Sequence, residues 1–372
     1  MSRHWAGSGE FKTADESADY NSIEKFMNRR ELLNTIGGMP DRLLNLAPGF
    51  YLKKNTQSYS DYLETLALYH PERWPGSPEP FLTVPQTAPA YKREEKKWSG
   101  SGDISFNVIE YPSRYQPRNR RLVEEFNQHT ANLSAYLVLW KHKAASRRPL
   151  VLCVHGLQMA QPRRAEKMFR IRKLLELGMD VALYIQPFHW RRVRGLREYF
   201  LNANNIPFFL ETFAQNIHDL HAGVLLLNNL GYERVGMIGA SLGGYALALY
   251  ASTGPRVDFM FLVVPAVDFS HYLMPRPQGF SFPVDEKVAS ATRAALKLVS
   301  PLGYPARFDV NKIKVVMHQG DRLCPAEKTR EWIRQWSIPN VVEVIGGHWL
   351  YFDHETRGAA WYGWLKKMGY IQ

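Results

Sequence analysis

With 372 residues, 45% of them hydrophobic and 13% aromatic, the chain can bury a large core, and composition excludes a disordered polypeptide. Its two cysteines, Cys153 and Cys324, are too few for a disulfide scaffold. A net charge of +12 points to an anionic substrate, an acidic surface or solubility alone; the arginines come as scattered pairs, Arg120-Arg121 and Arg147-Arg148 among them, which argues against a nucleic-acid site.

Residues 1–20 read as a loose terminus without the apolar core of a signal peptide, and no window approaches the ~18 apolar residues that span a bilayer. The expectation is a cytoplasmic protein with no transmembrane segment. Residues 20–46 carry helical spacing in Ile23, Phe26, Met27, Leu32, Leu33 and Ile36, and residues 59–69 form a second amphipathic candidate. Six prolines between His70 and Ala90 predict an extended run. Residues 1–95 are thus expected to be an N-terminal extension that packs on the core through Trp74, Phe81 and Tyr91, with the main domain covering 96–372.

From Lys97 onward, apolar runs alternate with helical patterns. Strands are predicted at 103–111 and 132–140, antiparallel partners at the sheet edge, then at 149–154, 180–185, 235–238, 258–264, 312–318 and 340–345. Helices are predicted at 163–177, closed by Gly178, at 209–230, closed by Gly231, and at 326–336, opened by Pro325. Alternation of this kind predicts an α/β protein, with a mostly parallel eight-stranded sheet and helices on both faces.

The stretch that carries chemistry is ERVGMIGASLGGYALALYAS, residues 233–252. A short apolar strand meets Gly239-Ala240-Ser241-Leu242-Gly243, and an alanine-rich helix follows, which is the G-x-S-x-G nucleophile elbow in its strand-turn-helix context. The turn is so sharp that the serine is strained and a side chain two positions away on either side would collide with the neighbouring strand or helix. A serine placed there needs a base and an acid, in the chain order Ser, Asp/Glu, His. Asp321 follows the 312–318 strand and His348, on a Gly346-Gly347 loop, follows the last strand. In these roles His348 takes the serine proton and Asp321 orients the imidazole. Asp268, just past the 258–264 strand, is a rival acid. Cys324 lies near Asp321 in sequence, with nothing around it to suggest a cysteine nucleophile, and Cys153 reads as a small buried hydrophobe.

Pro149 to Val154 is followed by His155-Gly156-Leu157-Gln158. On this run and the elbow the chain resembles the alpha/beta-hydrolase superfamily over residues 97–372. The resemblance implies an oxyanion hole from the amides of Leu157 and Leu242, a structural role for His155, and Gln158 as a third member of the loop. The sequence is HGLQ rather than HGGG, so the esterase groups with the glycine-rich loop are not indicated. Inserts at 186–208 and 265–309 correspond to the lid of that fold, the second with a helix at 285–299. In the first, His189, Trp190, Arg191 and Arg192, with Arg194 beyond, are candidates for substrate binding, arginine forks suiting a carboxylate or phosphate. A solvated basic loop with Trp190 as a plug explains the same residues. The run PFHWRRVRG resembles the P-[FY]-x-G-x-R loop of a poorly characterised hydrolase branch, the domain-containing-protein-18-like group. His218 and His221 share a helix face without a third ligand, and no dinucleotide or phosphate loop is present, so neither metal nor cofactor is expected. The expected function is a serine esterase acting on a small ester or acyl compound, with an anionic substrate as one option. A peptidase or amidase, a C–C hydrolase, and a non-catalytic binding protein of the same fold are the alternatives.

Overall fold

The structure, a computed structural model, describes residues 29–41, 54–74, 81–144, 147–195 and 201–372. The expected terminus 1–20, the ends of the helix expected at 20–46 and part of the proline-rich run lie outside these residues. Segment 29–41 is helical, as its spacing predicts.

One sheet organises the molecule, in the order β1-β2-β3-β5-β4-β6-β7-β8-β9. Its strands are β1 (Lys92–Lys96), β2 (Ile104–Pro112), β3 (Ser134–His142), β4 (Leu150–Val154), β5 (Asp180–Ile185), β6 (Val235–Ala240), β7 (Phe259–Val263), β8 (Ile313–His318) and β9 (Asn340–Val344). β1 through β3 run antiparallel, β3 pairs antiparallel with β5, and every pairing from β5 to β9 is parallel. The sheet therefore has nine strands rather than the eight expected, and the outermost is the addition. β1 is KREEK, exposed along its whole length, so it carries no apolar alternation for a sequence reading to find. Charge on an edge strand discourages pairing with other chains, which accounts for that composition. The expected boundary at residue 95 falls inside this strand.

The central strands β4 to β7 are buried at every position. Side chains alternate faces, so Leu150, Leu152 and Val154 join one apolar cluster while Val151 and Cys153 join the other. The first face is covered by α4 (Ile206–Asn229), α5 (Leu242–Ala251) and α7 (Ala326–Trp336), and the second by α2 (Pro162–Met168), α3 (Ile171–Glu176) and α8 (His354–Lys367). α4 is buried on nearly all sides because α1 (Tyr59–Ala67) and α6 (Glu286–Leu296) lie over it. The helix expected over 163–177 is broken, since Arg170 adopts a left-handed conformation (φ 52°) between α2 and α3. Neither glycine nor proline marks that position, which is why the spacing alone runs through it.

The N-terminal residues reach both inserts. The Asn55 backbone N–H donates to Gly279 O at 2.7 Å and its side chain to Asn204 O at 2.7 Å. Tyr59 OH donates to Asp285 at 2.7 Å, and Tyr62 packs on Phe280 and Phe282. Among the described residues, no helix is long and apolar enough to cross a membrane.

Candidate active site

Backbone strain collects at one edge of the sheet. Gln158, Phe188, Trp190, Ser241 and Val264 all have positive φ (58°, 60°, 49°, 54° and 42°), and each lies just past the C-terminal end of β4, β5, β6 or β7. Left-handed conformations cost energy in residues other than glycine, most of all in a β-branched valine, and they persist where a site demands them. The C-terminal edge of a parallel sheet is also where α/β proteins bind ligands.

Ser241 sits between β6 and α5 with φ 54° and ψ −116°, its N–H bonded to Val263 O at 2.9 Å. The surrounding glycines are required by contact. A Cβ on Gly243 would lie 1.9 Å from Val154 O, and one on Gly239 2.4 Å from Gly243 O. Both obstacles are backbone and cannot rotate away. Gly243→Ala is therefore expected to destabilise the protein by about 1–3 kcal/mol or more, seen as a lower urea midpoint.

On the other side of the site, His348 Nδ1 and Asp321 Oδ2 are 2.8 Å apart, both residues buried. Asp321 Oδ1 accepts the N–H groups of Leu323 and Cys324 at 2.9 and 2.7 Å, so the carboxylate is fully engaged and held in one orientation. The rival, Asp268, accepts from Ser270 N and Oγ at 2.8 and 2.9 Å and faces Lys328 at 3.9 Å. Burial opposes charge on the His348 ring, but Cys324 and Asp321 beside it outweigh this and hold its pKa well above the ordinary imidazole value.

Cys324 is the residue that sequence reasoning missed. Its sulfur lies within 4.8 Å of a His348 ring nitrogen and near the Ser241 side chain. Among the described residues no hydrogen bond joins Ser241 Oγ to His348, and the thiol stands at their junction. Burial pushes the Cys324 thiol up, which disfavours the thiolate. Ligand atoms of Asp321, Cys324 and His348 lie within 4.8 Å of one another, a donor set a thiophilic ion could meet. Asp321 already has its oxygens committed to the loop and to the ring, which leaves it little to offer a metal. Position 324, three residues after the acid, carries no motif of its own; only folding of the loop brings it to the serine.

The loop after β4 approaches the same point. A Cβ on Gly156 would lie 3.5 Å from the Ser241 Cβ. The Leu157 N–H has no acceptor among the described residues, and Leu242 opens α5, where the first N–H groups lack intrahelical partners. His155 is fully buried; its Nδ1 donates to Gly156 O at 2.8 Å and its Nε2 accepts from Gln186 N at 3.1 Å. Burial holds it neutral, and it braces the loop. The Gln158 carbonyl accepts from Arg164 at 3.0 Å.

The first insert differs from its sequence reading. Arg192 is fully buried and bonds Asp219 Oδ2 at 2.6 Å, Ile185 O and Asn132 O at 3.2 Å, and Tyr184 OH at 3.4 Å. Arg191 pairs with Glu94 of β1 at 3.3 Å and stacks on Trp190 at 4.8 Å. Trp190 packs edge-on against Tyr136. His189 is buried, its Nδ1 donating to Pro187 O at 2.8 Å, and burial lowers its pKa to about 4. The arginines thus brace the insert against the sheet, and the geometry does not support an anion site built from Arg191 and Arg192. The insert contains no signal from which this inward turn could have been read.

No family model matches the chain. Rv2627c, an uncharacterized protein of Mycobacterium tuberculosis, is 27% identical over 308 residues, which cover 77% of this chain and 70% of the relative. Among solved structures, an acetyl xylan esterase from a Paenibacillus species superposes with a TM-score of 0.51 at 12% identity, covering 88% of this chain and 99% of that one. Acetyl xylan esterase 1 from a Thermoanaerobacterium species gives 0.50 at 14% identity, covering 89% and 99%. At such identities the likeness is one of fold. Strand order, elbow and neighbours agree on it: the chain has the alpha/beta-hydrolase fold.

Proposed function

We propose that the protein is a serine hydrolase that cleaves carboxylic esters through an acyl-enzyme. The observation that carries this reading is Ser241, strained at a strand-helix elbow, on the same sheet edge as a buried His348–Asp321 pair at 2.8 Å. In this reading Ser241 Oγ attacks the ester carbonyl and His348 Nε2 takes its proton. The free N–H groups of Leu157 and Leu242 receive the developing oxyanion, each worth about 3 kcal/mol to the barrier. His348 then protonates the leaving alcohol, and water releases the acid by the reverse steps. The serine closes on the ring as substrate binds, since catalytic hydrogen bonds often tighten only in the complex. Trp349, half exposed and edge-on to the His348 ring at 5.4 Å, offers apolar surface at the rim.

Cys324 supports a second reading, a cysteine nucleophile on the same His348–Asp321 pair, because its sulfur lies within 4.8 Å of a ring nitrogen of the base. Against it stand the raised thiol pKa and the absence of an elbow at position 324. Labelling with a fluorophosphonate, followed by peptide mapping, separates the two. The expected adduct is on Ser241, with Cys324→Ala still labelled and still hydrolysing p-nitrophenyl acetate. Turnover that survives Ser241→Ala but is lost in Cys324→Ala would replace the serine with the cysteine, and a folded protein that neither labels nor hydrolyses would leave a binding protein.

A further inference from the structure

The acid and the base stand on separate loops, Asp321 after β8 and His348 after β9, and a segment distant in sequence ties the two together. Asp41, the last described residue of the helical segment 29–41, is completely buried. Its Oδ2 accepts the N–H of His348 at 2.9 Å and that of Arg322, the residue after the acid, at 3.0 Å. One carboxylate oxygen therefore bridges the backbones of both loops. The contact is extended by Asn34, whose Oδ1 accepts Gly346 N at 2.8 Å, and by Arg30, whose Nε donates to Gln319 at 2.8 Å.

Glycines let these backbones interlock. A Cβ on Gly347 would lie 2.0 Å from Gly37 O, one on Gly37 2.3 Å from Gly347 N, and one on Gly320 2.3 Å from Asn34 O. At these three glycines no side chain fits, so there the N-terminal segment meets the loops backbone to backbone. The other oxygen of Asp41, Oδ1, is buried without a hydrogen-bond partner among the described residues. A carboxylate taken out of water in that state is costly unless what it holds is worth the penalty. What it holds is the base and the neighbour of the acid.

We propose that Asp41 is a positioning residue that fixes the separation of Asp321 and His348, so that the N-terminal segment is a working part of the active site. The inference rests on the serine-hydrolase reading for its catalytic consequence, while its structural content stands on the hydrogen bonds alone. The full-length protein, Asp41→Asn and Asp41→Ala would be compared for kcat and KM on p-nitrophenyl acetate, with amide hydrogen exchange followed at Arg322 and His348. Asn keeps one oxygen able to accept, though without charge, and Ala removes it. The expected order is a kcat loss of about 3–10-fold for Asn and about 30–100-fold for Ala, at unchanged KM, with both amides exchanging faster in the same order. Should the alanine variant fail to fold, the asparagine variant decides by the same two readouts. Wild-type kcat together with wild-type protection of both amides in the folded variants would overturn the proposal. If the wild type proves inactive, the serine-hydrolase reading fails on its own, and the exchange data still decide whether Asp41 holds the loops.

Discussion

Ser241→Ala is expected to lower kcat for a p-nitrophenyl ester by about six orders of magnitude, and Asp321→Asn by about four. The difference follows from what each residue does. Without the serine no acyl-enzyme forms, whereas without the carboxylate the imidazole is still present but loses its orientation and the stabilisation of its charged form. The pH profile separates this from simple loss of structure. In the proposed mechanism neutral His348 is the base, and Cys324 and Asp321 beside the ring hold its pKa well above the ordinary imidazole value. Activity therefore climbs as pH rises through that raised value. In Asp321→Asn the negative charge is gone, the ring gives up its proton more readily, and the acid limb of kcat/KM moves to lower pH while the plateau falls. Rate measurements across pH on both variants make the check. A plateau that stays at wild-type height in Asp321→Asn would remove Asp321 from the mechanism, and a limb that does not move would remove it as the partner of His348.

The parts legible in the sequence are those governed by short-range rules. Apolar runs buried on both faces marked β4 to β7, and the steric demands of the elbow marked Gly239, Ser241 and Gly243. The sequence puts Ser241, Asp321 and His348 past the ends of β6, β8 and β9, and in a parallel sheet those ends lie along one edge. Three kinds of information were not legible. β1 is charged throughout, and its place is set by a partner strand rather than by its own pattern. Cys324 on its loop and Asp41 in the helical segment 29–41 are placed by tertiary contacts; nothing in Gly37-Gly38-Met39-Pro40-Asp41 names residue 348 as its destination. Charge was the third. A cluster of arginines reads the same whether it faces a ligand, water or a buried carboxylate, and only the position of Asp219 on α4 resolves it for Arg192.

That resolution has a large expected consequence. Arg192→Met is expected to destabilise the fold by about 3–5 kcal/mol, because it strands a charge rather than merely removing a contact. Asp219 is fully buried; its Oδ2 meets Arg192 Nη2 at 2.6 Å, and its Oδ1 takes Ser113 Oγ at 2.8 Å and His218 Nδ1 at 3.2 Å. Without the guanidinium those two remaining partners cannot offset a buried carboxylate, and the Ile185 and Asn132 carbonyls each lose a donor, the latter keeping Gln215 Nε2 at 3.1 Å. Removing both charges in Arg192→Met/Asp219→Asn should recover much of the loss, since the dominant penalty is the unpaired ion. A substrate-binding arginine would behave in the opposite way, raising KM with little change in stability. Urea unfolding of the two variants, set beside their KM values for p-nitrophenyl acetate, distinguishes the roles. A large fall in midpoint at constant KM, partly reversed in the double variant, identifies the pair as the brace between the first insert and α4. An unchanged midpoint with a tenfold higher KM would return Arg192 to the substrate, and would mean that the insert opens in solution far enough to free a side chain that no solvent reaches in this structure.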